Sequence, residues 1–333
     1  MSSHFWKERY SMENELNVSG KGAPLRASVV IPAYNAGRTI NEALSSVLSA
    51  AEVEVIVCDD ASTDDTSSII MGVEDLRISL LVNEVNCGPG PSRDNAIRQA
   101  SAPWVAFLDA DDTWHPDRLS CLISAAEKMN ADVVFDDVLL CHDTAGGLVP
   151  WKPLHGRAAF GGKGDVPRII SIENYVSSRR LLIQPVIRSD FIRKHGVSHG
   201  ARRFAEDAEF YLRLASAGAR FCYVPSPLYN YRITRGSLTA QAKDPSLMRK
   251  CLEECSKWNG WSVAVQGAFH TKIASLRENE ALHDLARDMR KGRFVQVFRS
   301  LARQPRLLTM LPRKILQQLH YQAHRAFHGG YGR

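Results

Sequence analysis

A chain of 333 residues with 44% hydrophobic and 23% charged side chains has a globular composition and the length of about two domains. No run nears the roughly 18 consecutive apolar residues of a membrane span, and seven cysteines without a Cys-x-x-Cys pair fit a reducing compartment rather than a disulfide framework. The net charge of +6 is uneven, because residues 289–333 carry ten Lys and Arg and no acid.

In chain order, residues 1–26 scatter Lys7, Glu8, Arg9, Glu13 and Glu15 where a signal peptide would have an apolar centre, which predicts a flexible leader and a cytosolic location. A strand, loop and helix pattern then repeats. The apolar run 27–31 is broken by Pro32-Ala33-Tyr34-Asn35-Ala36-Gly37, and helical spacing follows over 39–48. Strand 53–58 ends in Asp59-Asp60-Ala61-Ser62-Thr63-Asp64 before a short helix at 65–71. Strand 76–82 leads into a Gly/Pro-rich loop at 83–91, a helix at 92–99 and a fourth strand at 104–108. Such alternation predicts a mainly parallel sheet covered by helices.

That fourth strand delivers Asp109, Asp111 and Asp112 to solvent. Like charges this close favour a cation, and Mg²⁺ characteristically takes one or two protein carboxylates together with substrate phosphates. The alternative is an Asp-rich cap for the helix expected over 116–129. Ligands of open parallel sheets bind beyond the carboxyl ends of the strands. There Asp59 and Asp60 join the three aspartates, with the Tyr34-Asn35 loop and Arg93 after Gly88-Pro89-Gly90-Pro91. Neither a Gly-x-Gly-x-x-Gly fingerprint nor a Gly-Lys-Ser/Thr phosphate loop follows any of these strands.

Beyond residue 129 one more apolar run, 132–140, precedes a Gly/Pro/Lys-rich segment at 143–165 that reads as a mobile loop. A buried strand is expected over 181–188, a helix opening on Glu206, Asp207 and Glu209, and an aromatic strand Tyr229-Asn230-Tyr231-Arg232. Acids in a first turn also suit the helix dipole, so capping competes with chemistry for that trio. In the C-terminal part, Phe294, Val297, Phe298, Leu301, Leu307, Leu308 and Leu311 interleave with Arg293, Arg299, Arg303 and Arg306. This basic amphipathic pattern suits an anionic membrane surface or a helix packed on its own domain. His320, His324 and His328 recur every four residues with no carboxylate nearby, which reads as a polar helix face.

Five ordered motifs within residues 27–239 resemble the inverting glycosyltransferases of family 2. They are Val29-Val30-Ile31-Pro32-Ala33-Tyr34-Asn35, Val57-Cys58-Asp59-Asp60-Ala61-Ser62-Thr63-Asp64, Asn86-Cys87-Gly88-Pro89-Gly90-Pro91-Ser92-Arg93-Asp94-Asn95, Phe107-Leu108-Asp109-Ala110-Asp111-Asp112, and Glu206-Asp207. The resemblance implies a GT-A fold over 27–240, with a nucleotide-sugar half (27–130) merged with an acceptor half (131–240), followed by a helical basic extension (241–333). It places Pro32, Tyr34 and Asp60 at uracil, Arg93 on the nucleotide, Asp109 on the ribose, Asp111 on a Mg²⁺ or Mn²⁺ ion, and Asp207 as catalytic base. Asn35 and Arg232 complete the expected donor site, and Glu206 and Gln184 the acceptor side, with Trp151 nearby. The implied partners are a UDP-sugar, foremost UDP-glucose, and a lipid-linked oligosaccharide at the inner membrane leaflet, with no nucleic acid. The chain looks most like bacterial enzymes that extend exopolysaccharide repeat units, such as succinoglycan glucosyltransferases.

Two departures stand out. Asp94 adds an acid where many members have Ala-Arg-Asn, and Asn230-Tyr231-Arg232-Ile233 replaces the Gln-x-x-Arg-Trp of processive members. Asp109-Ala110-Asp111-Asp112-Thr113 also matches the strand end of haloacid-dehalogenase-type phosphatases, although three strand and loop units precede it here. A non-catalytic membrane or nucleic-acid binding protein is the third reading, carried by the basic tail alone.

Overall fold

The computed structural model describes residues 24–156, 158–161, 164, 166–233 and 246–311. Strand β1 (Ala27–Ala33), helix α1 (Ile40–Leu48), β2 (Val53–Asp59), α2 (Thr66–Met71), β3 (Ile78–Val82), α3 (Pro89–Ile97) and β4 (Trp104–Phe107) alternate in the order the apolar periodicity predicts. These strands pair in parallel in the order β3-β2-β1-β4. Val30, Ile56, Cys58, Val105 and Phe107 enter one core and Val29, Ile31, Val55, Val57 and Ala106 the other. Burial on both faces is why these strands read as unbroken apolar runs.

The chain continues through β5 (Thr113–Trp114), α4 (Arg118–Met129), β6 (Val133–Thr144), β7 (Gly147–Pro153), β8 (Arg168–Ile170), α5 (Ile172–Ser177), β9 (Val186–Arg188), α6 (Ser189–His195), α7 (Glu206–Ser216) and β10 (Phe221–Ile233). The sheet runs β3-β2-β1-β4-β9-β6-β10-β5, with β7 added on β6 and β8 on β10. β9 is antiparallel to both β4 and β6, whereas β6 and β10 are parallel. One sheet thus joins the two expected halves.

Three expectations need correction. The segment 143–165 is not simply a loop: β6 extends to Thr144 and β7 folds back on it. Gly147 (φ 102°) supplies the turn, and its carbonyl accepts a 2.8 Å hydrogen bond from the Thr144 hydroxyl. Of the strand expected over 181–188 only its last three residues pair, because the Gln184 carbonyl is taken by Arg118 and Pro185 has no N–H to donate. The aromatic strand is the end of a thirteen-residue β10, whose register against β6 shifts between Val224 and Tyr229, where Pro225 and Pro227 remove ladder donors.

Helices α8 (Ser246–Cys255), α9 (Val263–Arg290), α10 (Phe294–Arg303) and α11 (Leu307–Met310) complete the described chain. Cys251, Leu252, Val265, Phe269 and Ile273 share a core with Val30 and Phe107, so α8 and the start of α9 are part of the main body. Val297 and Leu301 pack with Leu285 and Leu307 into a separate small core. The apolar stripe of α10 is thereby spent on α9 and α11. The leader up to residue 23, Arg313, Lys314 and His320, His324 and His328 lie outside the described residues.

Candidate active site

Beyond the carboxyl ends of β1, β2 and β4, Arg93 on α3 is only 4% exposed and is enclosed by carboxylates. Its Nη2 donates to Asp109 Oδ1 at 2.6 Å and its Nη1 to Asp207 Oδ1 at 2.7 Å, with Glu206 Oε1 at 3.5 Å. The second Asp109 oxygen accepts from Gln184 Nε2 at 3.1 Å. Five residues from four separate parts of the sequence therefore meet in one cluster. Glu206 and Asp207 occupy the first turn of α7, whose preceding residue Ala205 is left-handed (φ 60°), and no side chain caps that helix. Burial, and then the negative charge of Asp207, push the Glu206 carboxyl up to about 7. The third acid of the trio, Glu209, pairs instead with Arg202 and Arg213, each at 2.7 Å.

Asp60 is buried and its carboxylate faces its neighbouring loop. Its oxygens accept from Gly88 N–H (2.7 Å), Cys87 N–H (3.0 Å) and Asn83 Nδ2 (2.8 Å). Burial raises its pKa, but these hydrogen bonds outweigh it and hold the carboxyl below the usual range. Asp59 likewise accepts from Ser62 N–H at 2.9 Å and from Ser67. On the neighbouring loop Pro32 is half-buried, Tyr34 is 51% exposed, and Asn35 (φ 50°) accepts from Thr63 N–H at 2.8 Å. Tyr34 is thus the open side chain, and Asn35 ties two loops together.

The three aspartates after β4 divide. Asp112 is buried, accepts from the Tyr229 hydroxyl (2.8 Å) and Arg232 N–H (2.7 Å), and so fastens β10 to the end of β4. It caps no helix, which corrects the capping alternative: α4 starts six residues later, with Asp117 at its N-cap position. Arg232 lies behind Asp111. Its guanidinium donates to the Asp111 carbonyl (2.6 Å), to Asp143 (2.6 Å) and to Glu42. Among the described residues no side chain donates to the Asp111 carboxylate, and burial, reinforced by Asp109, pushes it up to about 6. A half-buried carboxyl beside a second acid, short of donors, suits a hard dication. Among the described residues no group of three or more His, Cys, Asp or Glu could enclose a metal, so Asp111 would hold such an ion with oxygens from outside the chain.

Residues 28–155 match Glycosyl transferase family 2. The chain is 31% identical over 241 residues to the succinoglycan biosynthesis protein ExoU of Rhizobium meliloti, an alignment covering 68% of each. The chain belongs to glycosyl transferase family 2. A second relative of this glycosyltransferase, the UDP-Glc:alpha-D-GlcNAc-diphosphoundecaprenol beta-1,3-glucosyltransferase WfgD of Escherichia coli, is 40% identical over 110 residues, which span 32% of this chain and 44% of that one. Among solved structures, S. aureus TarS in complex with UDP-GlcNAc superposes with a TM-score of 0.61 at 20% identity, covering 76% of this chain and 72% of that one. This likeness shows a shared GT-A fold.

Family membership sets aside the phosphatase and the non-catalytic readings. Sequence reasoning missed three residues around this glycosyltransferase's site, His199, Arg118 and Asp136, and noted Asp94 without giving it a partner. Asp94 binds His199 on the loop before α7 (Nδ1 to Oδ1, 2.8 Å). Arg118 and Asp136 form a fully buried pair at 2.8 Å, and Arg118 also donates to the Gln184 carbonyl, fixing the segment that carries Gln184 to Asp109. The additional acid at 94 and the acid pair Asp136-Asp137 inside an apolar run were the signals that could have found them.

Proposed function

We propose that this glycosyltransferase moves a hexose from a UDP-sugar, foremost UDP-glucose, to a lipid-linked oligosaccharide, inverting the anomeric carbon and adding one sugar per encounter during exopolysaccharide assembly. The observation that carries the reading is the cluster in which Arg93 joins Asp109, the expected ribose ligand, to Asp207, the expected base. The printed names of the relatives support the donor and acceptor classes, since WfgD is a UDP-Glc enzyme named for a diphosphoundecaprenol acceptor and ExoU a succinoglycan biosynthesis protein. TarS has been solved with UDP-GlcNAc bound.

Asp207 takes the proton of an acceptor hydroxyl while that oxygen forms its bond to the anomeric carbon and the bond from that carbon to the diphosphate breaks, releasing UDP. The 2.7 Å hydrogen bond from Arg93 Nη1 holds the Asp207 carboxylate in place. Asp109 and Gln184, joined by their hydrogen bond, orient donor against acceptor, and Tyr34 offers an aromatic face to the base of the nucleotide. A divalent ion held by Asp111 would supply the positive charge that stabilises the departing diphosphate. The basic face of the C-terminal helices would bring the enzyme to the anionic inner leaflet where such acceptors are anchored.

Screening the purified chain for UDP release across a panel of UDP-sugars, with Mg²⁺ or Mn²⁺ and a prenyl-diphosphate-linked sugar as acceptor, tests this reading. UDP-glucose should give the highest rate. Turnover with no member of the panel would refute it.

A further inference from the structure

We propose that His199, held by Asp94, is a positioning residue that sets the Asp207 carboxylate against Arg93 and Asp109. His199 is buried on the loop between α6 and α7 and touches residues one, two and three positions from Arg93, Asp109 and Asp207 respectively. Its Nδ1 lies 2.8 Å from Asp94 Oδ1, and its backbone N–H donates to both Asp94 oxygens at 3.0 Å; Asp94 directly follows Arg93. Its ring stacks on Phe210 at 3.8 Å and 7°, and Phe210 lies three residues beyond Asp207, one turn along the same helix. The same ring meets the edge of Phe107 at 5.6 Å, two residues before Asp109 on the same chain segment. One imidazole thus contacts α3, the end of β4 and α7.

Close approach at this point is built into the backbone. A Cβ on Gly90 would lie 3.2 Å from His199 Cβ and 3.4 Å from Glu206 Cγ, so α3 is pressed directly against the loop and the acids. Gly200 (φ 77°) and Ala205 (φ 60°) then turn the chain from His199 into α7. Packing alone does not account for a histidine here. Phenylalanine would stack on Phe210 equally well, whereas the imidazole leaves Nε2 buried and without a partner among the described residues, which is unfavourable. A phenylalanine would keep the two backbone N–H bonds to Asp94 but lack the side-chain bond, the third tie between this loop and the helix bearing Arg93. Asp94 is also the acid by which this chain departs from the commoner family pattern, so tie and departure are one feature.

This inference rests on Asp207 being the base, and the test separates the two. Steady-state UDP release from UDP-glucose, with a prenyl-diphosphate-linked sugar as acceptor, is compared for wild type, His199→Phe, His199→Asn, Asp94→Asn and Asp207→Asn, with thermal midpoints alongside. Misplacing a catalytic group by about 1 Å can cost on the order of 100-fold in rate. His199→Phe should therefore lower kcat at least tenfold while KM for UDP-glucose and the thermal midpoint stay near wild type. His199→Asn, which keeps a donor for Asp94, should recover part of the loss. Wild-type kcat in His199→Phe beside an inactive Asp207→Asn overturns the inference, as does a loss that follows the thermal midpoint and is not rescued by asparagine. If His199→Phe does not fold, Asp94→Asn decides, and wild-type kcat there overturns it. Turnover in Asp207→Asn refutes the base assignment itself.

Discussion

Glu206 and Asp111 are two carboxyls of the site whose surroundings disfavour charge, and each carries a measurable consequence. The folded Glu206 pKa lies near 7 against an ordinary 4.5, raised by burial and by Asp207. Between those values the folded chain binds the proton more tightly than the unfolded one, so stability is lost as pH rises through this window. Glu206→Gln removes that loss. Relative to wild type it should gain on the order of 2 kcal/mol more at pH 8 than at pH 5, read from urea unfolding; an equal difference at both pH values would contradict the shift. Asp111→Ala should abolish the Mn²⁺ dependence of UDP binding in titration calorimetry while metal-free binding persists, and unchanged affinity with metal would remove Asp111 as the ligand. The roles of Asp111 and Asp112 could not be told apart from sequence. Both are aspartates at a strand end, and only the Tyr229 and Arg232 donors on β10, more than a hundred residues away, distinguish them.

At the scale of elements, the site depends on how α4, β6 and the segment before β9 are fixed. Arg118 lies between the rings of Trp114 (4.7 Å) and Tyr229 (5.0 Å), pairs with Asp136 and donates to the Gln184 carbonyl. Removing one member of a buried pair strands the other, at a cost of about 3–5 kcal/mol. Arg118→Ala should lower the urea midpoint by that equivalent, with activity falling as Gln184 loses its anchor; wild-type stability would show the pair to be dispensable. The first four strands were legible because burial on both faces leaves continuous apolar runs, and their loops carry the motifs. The segments 143–165 and 181–188 were not, since a hairpin built on Gly146-Gly147 has a loop's composition, and Gln184-Pro185 owes its extended path to Arg118 rather than to a ladder partner. The ion pairs of Arg93 belong to the same class, because contacts set by sheet order leave no local trace.

Across the whole molecule, a mostly parallel sheet presents the cluster on one side while α8 and α9 extend its core. Further along, Val297 and Leu301 are spent on the small core with Leu285, and Arg299, Arg303 and Arg306 remain exposed. No described helix is long and apolar enough to cross a membrane. Charge rather than apolar area is therefore what α10 offers to a bilayer. Vesicles rich in anionic lipid should retain the chain at low salt and release it near 1 M salt, where the screening length falls to about 3 Å; binding that survives high salt would point to insertion instead. In the proposed reading, transfer rests on the division of labour around Arg93, which Asp207→Asn tests most directly. With the donor selected by the UDP-sugar screen, this variant should bind UDP as wild type does in calorimetry and lose at least about 1,000-fold in transfer rate. Near-normal turnover with intact UDP binding would contradict Asp207 as the base.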